Sequence, residues 1–478
     1  MFMRSGFQLL RTGWFEKGDS KSKKVDLEQV YTDNFVEVVS GRRLTTVSDY
    51  SNEFFLYYYL KCEEVREVFK DKTHASCSLN STLIEKSIFF HVLECLNIPK
   101  GIFSLLVAYF QIALVFLISI LGVILLSLFL PFLFLRNVKE NSFSRCFNVE
   151  NLFLVRSRSG YSKLRSFVEE AGDSAVIFDN FSDLKGYECS VYAPLKTRLF
   201  FRVLLRTVMF SIRDIILIIK DAKSMIGFLF SLVVFSHYWK RIPHKALYEA
   251  CLMEVLEVAG KGCVVYSAEK EDRFALMQTR CCADKSRELI CIPHGLEYGL
   301  RLPGGLCGNV FYCYSESSRK LLSEIYNSDK FLFSEDVLTK MLGISNSDTN
   351  GVIAQICFFT EPREQAVNFR IIDGLISLGA RFHIKLHPLE DEAVYRSKFS
   401  DLSIIPSLED ALRSSVCIAR KSTVLIEASH RGRLAVAILE NTKDRVFATR
   451  LFPSLTSERI RKVSDFSDLN ALLSTQNK

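Results

Sequence analysis

From Gly101 to Leu135 the chain carries no Asp, Glu, Lys, Arg or His. No other stretch so narrows what this polypeptide can fold into. A helix crossing a bilayer needs about 20 apolar residues, and buried helices of soluble cores are seldom so long and so uniformly apolar. Lys100 bounds the run on one side, Arg136 and Lys139 on the other. Residues 101–136 are therefore expected to form a membrane segment, either one tilted helix or a tight hairpin of two short ones. Basic residues at both ends do not orient a single pass, whereas a hairpin leaves both flanks on the cytosolic side.

A second apolar stretch, Leu195–Trp239, is of another kind. At about 100° per residue, Arg198, Arg202, Arg206, Arg213, Lys220 and Lys223 share one side of a helical wheel, and Leu, Ile, Phe and Val fill the other. That is the pattern of a basic amphipathic helix resting on anionic lipid. It is equally the pattern of a helix packed on a domain with its basic side in water. Either way, residues 195–240 read as a helical insertion in an otherwise regular alternation of strand and helix.

A chain of 478 residues exceeds what one ordinary core serves, so two globular units plus additions are expected. The formal charge of +7 is mild for this length, and nucleic acid is not an expected partner. The 14 cysteines include no C-x-x-C pair. They suit small buried side chains in a reducing compartment better than a metal site or a disulfide framework. Residues 1–30 mix charged and apolar residues and are not expected to be a secretory signal. The expected setting is a membrane-associated protein whose catalytic domains lie in the cytoplasm. Residues 1–100 carry no motif that assigns them a role.

Two modules follow from the pattern. Residues 150–340 begin with an apolar strand at Leu152–Val155, a helix at Tyr161–Ala171 and a strand at Ala175–Phe178. They resume after the insertion with a helix at Lys245–Ala259 and strands at Cys263–Tyr266, Leu289–Ile292 and Val310–Tyr314. A polar run, Ser345–Gly351, reads as a linker. Residues 351–478 then give strands at Val352–Phe359, Phe382–Leu386, Leu402–Ile405, Val416–Ala419 and Leu434–Leu439, separated by helices or loops. Strands alternating with helices of about 10–15 residues indicate parallel sheets, so the fold class is α/β with two Rossmann-like domains. Ligands of such sheets bind at the carboxyl ends of the strands, which directs attention to the loops there.

Three strand-end loops carry candidate chemistry. In Lys385-Leu386-His387-Pro388, proline fixes a turn and presents His387, which can hydrogen-bond or charge-pair with a phosphate, with Lys385 assisting. In Arg420-Lys421-Ser422-Thr423, Ser422 or Thr423 precedes an apolar helix whose N-terminal amides suit a phosphate, and the cations add charge. Glu427, one turn on, either reaches ribose hydroxyls or is a surface carboxylate. In Ile292-Pro293-His294-Gly295-Leu296-Glu297, a tight bend presents His294 with Glu297 nearby. Either is suited to deprotonate an acceptor hydroxyl. The plain alternatives are a structural His-Pro turn, an ordinary helix cap and a turn histidine. No Asp-x-Asp, P-loop or G-x-G-x-x-G occurs, which leaves metal-dependent sugar transfer, kinases and dinucleotide enzymes without support. No cofactor or metal is expected, and the acidic run Glu390-Asp391-Glu392 reads as a solvated loop.

His387-Pro388, followed 35 positions later by Ser422-Thr423, resembles the paired "HP" and "SS/ST" motifs of bacterial sialyltransferases and polysialyltransferases. Phe358-Phe359-Thr360-Glu361-Pro362 resembles the strand-end loop that opens their C-terminal domain. The resemblance covers about the last 190 residues. It implies a metal-independent enzyme of the GT-B type with a CMP-activated donor. It also implies that His387, Ser422 and Thr423 contact the donor phosphate, with Thr360, Lys385, Pro388 and Glu427 around them. Those enzymes' acidic base motif has only a distant counterpart here, Glu297-Tyr298-Gly299. Two other families are similar. CDP-glycerol glycerophosphotransferases share a His-Gly loop and a Lys-x-His-Pro loop with histidine as base, and Kdo transferases of capsule assembly are further relatives. The expected function is transfer of a sugar from a CMP-activated, sialic acid- or Kdo-like donor to a surface-polysaccharide or lipid-linked acceptor. The alternatives are CDP-glycerol transfer in envelope-polymer synthesis and a non-catalytic membrane scaffold with a GT-B body.

Overall fold

The computed structural model describes residues 48–53, 102–136, 138, 143–179, 189–220, 239–302, 304–344, 355–362, 365–440, 444–445 and 447–476. Most of residues 1–100, Lys223 of the basic stripe, the polar linker from Ser345 and the start of the strand expected at Val352 lie outside them.

The first sheet is built from β1 (Asn151–Val155), β2 (Ser174–Phe178), β3 (Cys189–Ser190), β4 (Val264–Ser267), β5 (Glu288–Cys291), β6 (Val310–Tyr312) and β7 (Phe331–Leu332). Every pairing is parallel and the spatial order is β3-β2-β1-β4-β5-β6-β7. The second sheet contains β8 (Ile356–Phe359), β9 (His383–Lys385), β10 (Val416–Ala419), β11 (Leu434–Ile438) and β12 (Ile460–Val463), again all parallel, in the order β12-β11-β10-β8-β9. The expected strand at Leu402–Ile405 is reduced to a single parallel bridge from Ile404 to Ile384. That bridge lies on the outer side of β9, so both sheets follow the doubly wound order 3-2-1-4-5-6. The two Rossmann-like domains expected from the sequence are present.

Both faces of a parallel sheet must be covered, and the apolar runs provide for this. On β1, Leu152 and Leu154 enter one core while Phe153 and Val155 enter another on the opposite face. The helices that cover the sheets include α1 (Ile102–Leu135), α2 (Arg158–Glu170), α3 (Phe200–Lys220), α4 (Arg241–Val258), α5 (Arg273–Asp284), α6 (Glu316–Tyr326) and α7 (Glu335–Leu342). In the second domain α8 (Gln365–Ser377), α9 (Glu392–Lys398), α10 (Val424–His430) and α11 (Phe466–Gln476) follow. Ser157, Asp272 and Ser315 start α2, α5 and α6 by accepting hydrogen bonds from first-turn amides, which places those starts just after strand ends.

Of the two forms expected at 101–136 the structure has the single one: Ile102–Leu135 is one uninterrupted helix of 34 residues, α1. Its one central glycine, Gly122, is pressed against Trp239, where an added Cβ would come within 2.7 Å of the ring, so it serves packing rather than a turn. In α3 the expectation of an apolar face packed on the domain with the basic side in water is corrected. Arg202 and Arg206 reach Glu254 on α4 at 3.0 and 2.5 Å, and Arg213 reaches Glu249 at 2.7 Å. The arginines thus serve buried carboxylates, and the apolar stripe faces outward, with Phe201 77% and Leu205 63% exposed.

Candidate functional site

The loops at the carboxyl ends of the two sheets meet. Lys163 on α2 donates to Glu427 on α10 at 2.7 Å across the domain boundary. The amide of Gly299 donates to the carbonyl of Leu451 at 2.8 Å, and Tyr298 packs on Phe452. The Pro293–Gly299 loop of the first domain is therefore held by the 451–454 segment that comes after β11.

Within this loop the two candidate bases are separated by their surroundings. His294 is half-buried, and its Nδ1 lies 2.6 Å from the carbonyl oxygen of Ala268. A carbonyl only accepts, so in the neutral ring Nδ1 carries the hydrogen and Nε2 keeps its lone pair. Glu297 is fully buried. Its Oε1 accepts from the Tyr314 amide at 3.1 Å and from the Ser454 hydroxyl at 2.7 Å. It ties β6 to the C-terminal segment and is not presented to a substrate.

Around His294 the other strand ends contribute a cluster that the three loop motifs do not include. Arg156 directly follows β1, lies over the Phe274 ring at 3.3 Å and pairs with Asp179, Glu269 and Asp272 at 3.3–3.6 Å. Asp179 directly follows β2 and accepts from Tyr192 at 3.1 Å, with His244 at 3.7 Å. Burial alone would raise the Asp179 carboxyl, but His244, Arg156 and Tyr192 outweigh it and hold it below the usual range. Burial, reinforced by Asp272, raises Glu269, and burial also raises Glu271; both interact electrostatically with His294. Lys270 donates to the Leu296 carbonyl and lies over the Tyr298 ring, bracing the histidine loop. The signal for these residues was positional. Each sits within a few residues of a strand's carboxyl end, but none belongs to a recognisable short motif.

In the second domain the His-Pro loop is braced from beneath. Thr360, after β8, is buried; its hydroxyl accepts the His387 amide at 3.0 Å and donates to Glu390. Glu390 also receives Asn368 at 3.0 Å and the Tyr395 hydroxyl. Asp391 caps α9, and Glu392 pairs with Arg396. The acidic run is thus structural. His387 is half-buried and Pro388 exposed, while Lys385 turns its ammonium to the Leu386 carbonyl at 3.0 Å. Nδ1 of His387 accepts the Leu389 amide at 3.2 Å, so the neutral ring bears its hydrogen on Nε2, as a donor.

The Ser-Thr loop differs from expectation in its charges. Arg420 is fully buried and forms a two-bond pair with Asp444 at 2.6 and 2.7 Å. The Lys421 ammonium reaches Glu361 and Asp444, each at 2.9 Å, and its amide also donates to Glu361 at 2.8 Å. These cations are balanced by carboxylates and do not form a bare phosphate site. Ser422 accepts the Val424 amide at 3.3 Å, while Thr423 occupies the cap position without a side-chain cap bond; both are half-buried. Glu427 is buried and committed to Lys163, so it is neither a surface carboxylate nor open to ribose through that oxygen.

Burial lowers the pKa of His387 below 6.5, opposed by Glu390 and Glu361. A phosphate at Nε2 would favour the charged ring and raise it again. Binding would then take up a proton, so affinity should strengthen as pH falls through the bound-state pKa towards the free-state one. Calorimetry of CMP or CDP binding at several pH values, with His387→Gln as control, measures this; an identical pH slope in the variant would exclude His387 from the phosphate.

No known protein family matches the chain, and no curated protein does. Among solved structures, the UDP-GlcNAc 2-epimerase of Methanocaldococcus jannaschii is 12% identical, with 68% of this chain and 92% of that one aligned and a TM-score of 0.40. The UDP-GlcNAc 2-epimerase of Neisseria meningitidis, bound to UDP-GlcNAc, is 9% identical over 68% and 90%, with a TM-score of 0.39. The wall teichoic acid polymerase TagF is 10% identical over 70% and 81%, with a TM-score of 0.35. Likeness at this level says nothing of substrate, and the two-Rossmann architecture rests on the strand orders themselves.

Proposed function

We propose that the chain is a metal-independent GT-B transferase that moves a group from a cytidine nucleotide donor to a glycan or lipid-linked acceptor at the cytoplasmic face of a membrane. The observation that carries this reading is the tautomer of His294, which leaves a basic nitrogen in the loop where the two domains meet. In this scheme His294 Nε2 removes the acceptor's hydroxyl proton as its oxygen attacks the donor. The bond to the nucleotide phosphate breaks, and His387 Nε2–H with the Ser422 and Thr423 hydroxyls stabilises the departing charge. Arg156, held by Asp179, Glu269 and Asp272, stands on the acceptor side.

The leading donor is a CMP-sugar, on the strength of the His387-Pro388 and Ser422-Thr423 pairing. A CDP-glycerol-type donor is the second reading, favoured by one observation: the buried, bonded state of Glu297 leaves a histidine, not a carboxylate, as base.

A thermal-shift titration of the solubilised protein with CMP, CDP, UDP and GDP tests this. A ligand that binds the folded state alone raises the midpoint in proportion to its affinity. CMP should stabilise, and His387→Ala should abolish the shift. A response to CDP alone moves the donor to the second reading, and no response to any of the four leaves a non-catalytic scaffold.

A further inference from the structure

The outward face of α1 and α3 is the largest feature that the transferase reading leaves unused, and its role does not depend on that reading. The two helices pack antiparallel: Phe132 meets Phe200 with ring centroids 5.0 Å apart, and Ser127 bonds Ser211 at 2.7 Å. Both lie on α4, which is in turn buried against the first sheet through Leu247, Leu252 and Val255. On the side facing away from the protein, Phe110, Leu121 and Phe129 of α1 are 61–70% exposed, beside the outward stripe of α3.

We propose that the protein is monotopic: α1 and α3 lie in the plane of one leaflet with their shared outer face in hydrocarbon, and neither crosses the bilayer. A crossing helix must be surrounded by lipid or by other membrane-compatible surface over about 30 Å. The inner side of this pair is instead occupied by α4 and its charged partners, with Lys245 reaching Asp214 at 2.9 Å and Glu249 at 3.1 Å. Beyond them lies a parallel sheet. Among the described residues, only the outer side of each helix is open to lipid.

Hydrocarbon is the occupant that fits. Every exposed residue of α1 from Leu117 to Leu135 is Leu, Ile or Phe, whereas protein-binding patches are about as polar as ordinary surface. Basic residues flank the paired stretch: Arg136, Lys196 and Arg198 lie exposed on one side, and Lys220, Lys240 and Arg241 on the other, where Trp239 meets Gly122 of α1, placed for anionic headgroups.

Spin labels on cysteines introduced by Leu114→Cys, Leu121→Cys and Phe129→Cys on α1, and Leu205→Cys and Met209→Cys on α3, test the arrangement in vesicles containing phosphatidylglycerol. Immersion depths should agree within a few ångströms at about 5–10 Å below the headgroups. A span would separate Leu114 from Phe129 by roughly 20 Å in depth, which would overturn the proposal. So would labels that all remain in water. The double variant Leu205→Glu with Met209→Glu should lose vesicle flotation by about tenfold or more, because a carboxylate is driven out of hydrocarbon. Its thermal midpoint in detergent should hold, and flotation at the wild-type level would count against the proposal.

Discussion

His294→Ala should lower turnover by about 10²–10⁴-fold while leaving nucleotide affinity unchanged, the signature of a lost general base. The expectation follows from the assignment of hydrogens. Nδ1 is fixed on the Ala268 carbonyl, so the side chain can act only through Nε2. His294→Gln keeps a polar group at the site but supplies no base, and should be as slow as alanine. Glu297→Gln provides the contrast. Glu297 joins Tyr314 to Ser454 in a buried position, so its replacement should lower the unfolding midpoint more than it lowers turnover of the protein that remains folded. Single-turnover transfer with whichever cytidine donor binds, beside a calorimetric affinity, separates the two residues. If Glu297→Gln were folded and inactive while His294→Ala turned over normally, the base assignment would be reversed.

That contrast shows where the sequence was legible. The strands of both sheets announced themselves because parallel strands buried on both faces read as short apolar runs. β3, β7 and β12 did not: two are edge strands of two residues each, and Ile460–Val463 carries Arg461 and Lys462 on an edge, which breaks the run. The His-Pro and Ser-Thr loops could be found because each is a motif at a strand end. Sequence could not reveal which charges were already satisfied. Arg420 and Lys421 look like phosphate cations until Asp444 and Glu361 are seen against them. Glu427 looks like a free carboxylate until Lys163, 264 positions away, is seen to cross the boundary. The orientation of α3 is the same lesson on a larger scale. A helical wheel separates a basic side from an apolar side, but only the buried Glu249 and Glu254 on α4 decide which of them turns inward.

The same buried charges lead to the largest stability effect. Lys245 has no exposed side-chain surface; it contacts Asp49, and reaches Asp214 at 2.9 Å and Glu249 at 3.1 Å. Arg280 joins Asp49 and Glu249 at 2.6 and 2.8 Å, and Arg213 completes a balance of three cations against three carboxylates. These three carboxylates lie close enough together to invite a metal, but the lysine already occupies that role. Lys245→Met preserves bulk and leaves one negative charge without compensation, so it should cost about 3–5 kcal/mol at neutral pH. The sign of the pH dependence follows from the carboxyls. Burial opposes ionisation of Glu249 and Asp49, but Lys245 and the arginines prevail and hold both below their ordinary 4.5 and 3.8. They therefore contribute stability that is present above those values and lost as pH falls below them. Asp214 is already pushed up by burial, and in the variant, with Lys245 gone, it should protonate first and relieve the excess charge. The gap between wild type and Lys245→Met should accordingly be wide at pH 7.5 and narrow at pH 5, read from unfolding midpoints in detergent. A gap that is small at both values would mean that the network carries little of the fold. The consequence reaches beyond stability. Asp49 belongs to the short 48–53 segment, whose Asn52 side chain bonds the Glu271 carbonyl at 2.9 Å and the Gly305 carbonyl at 2.8 Å. Lys245 thus stands between the α1–α3 pair and the loop that flanks His294, and its loss should loosen both together.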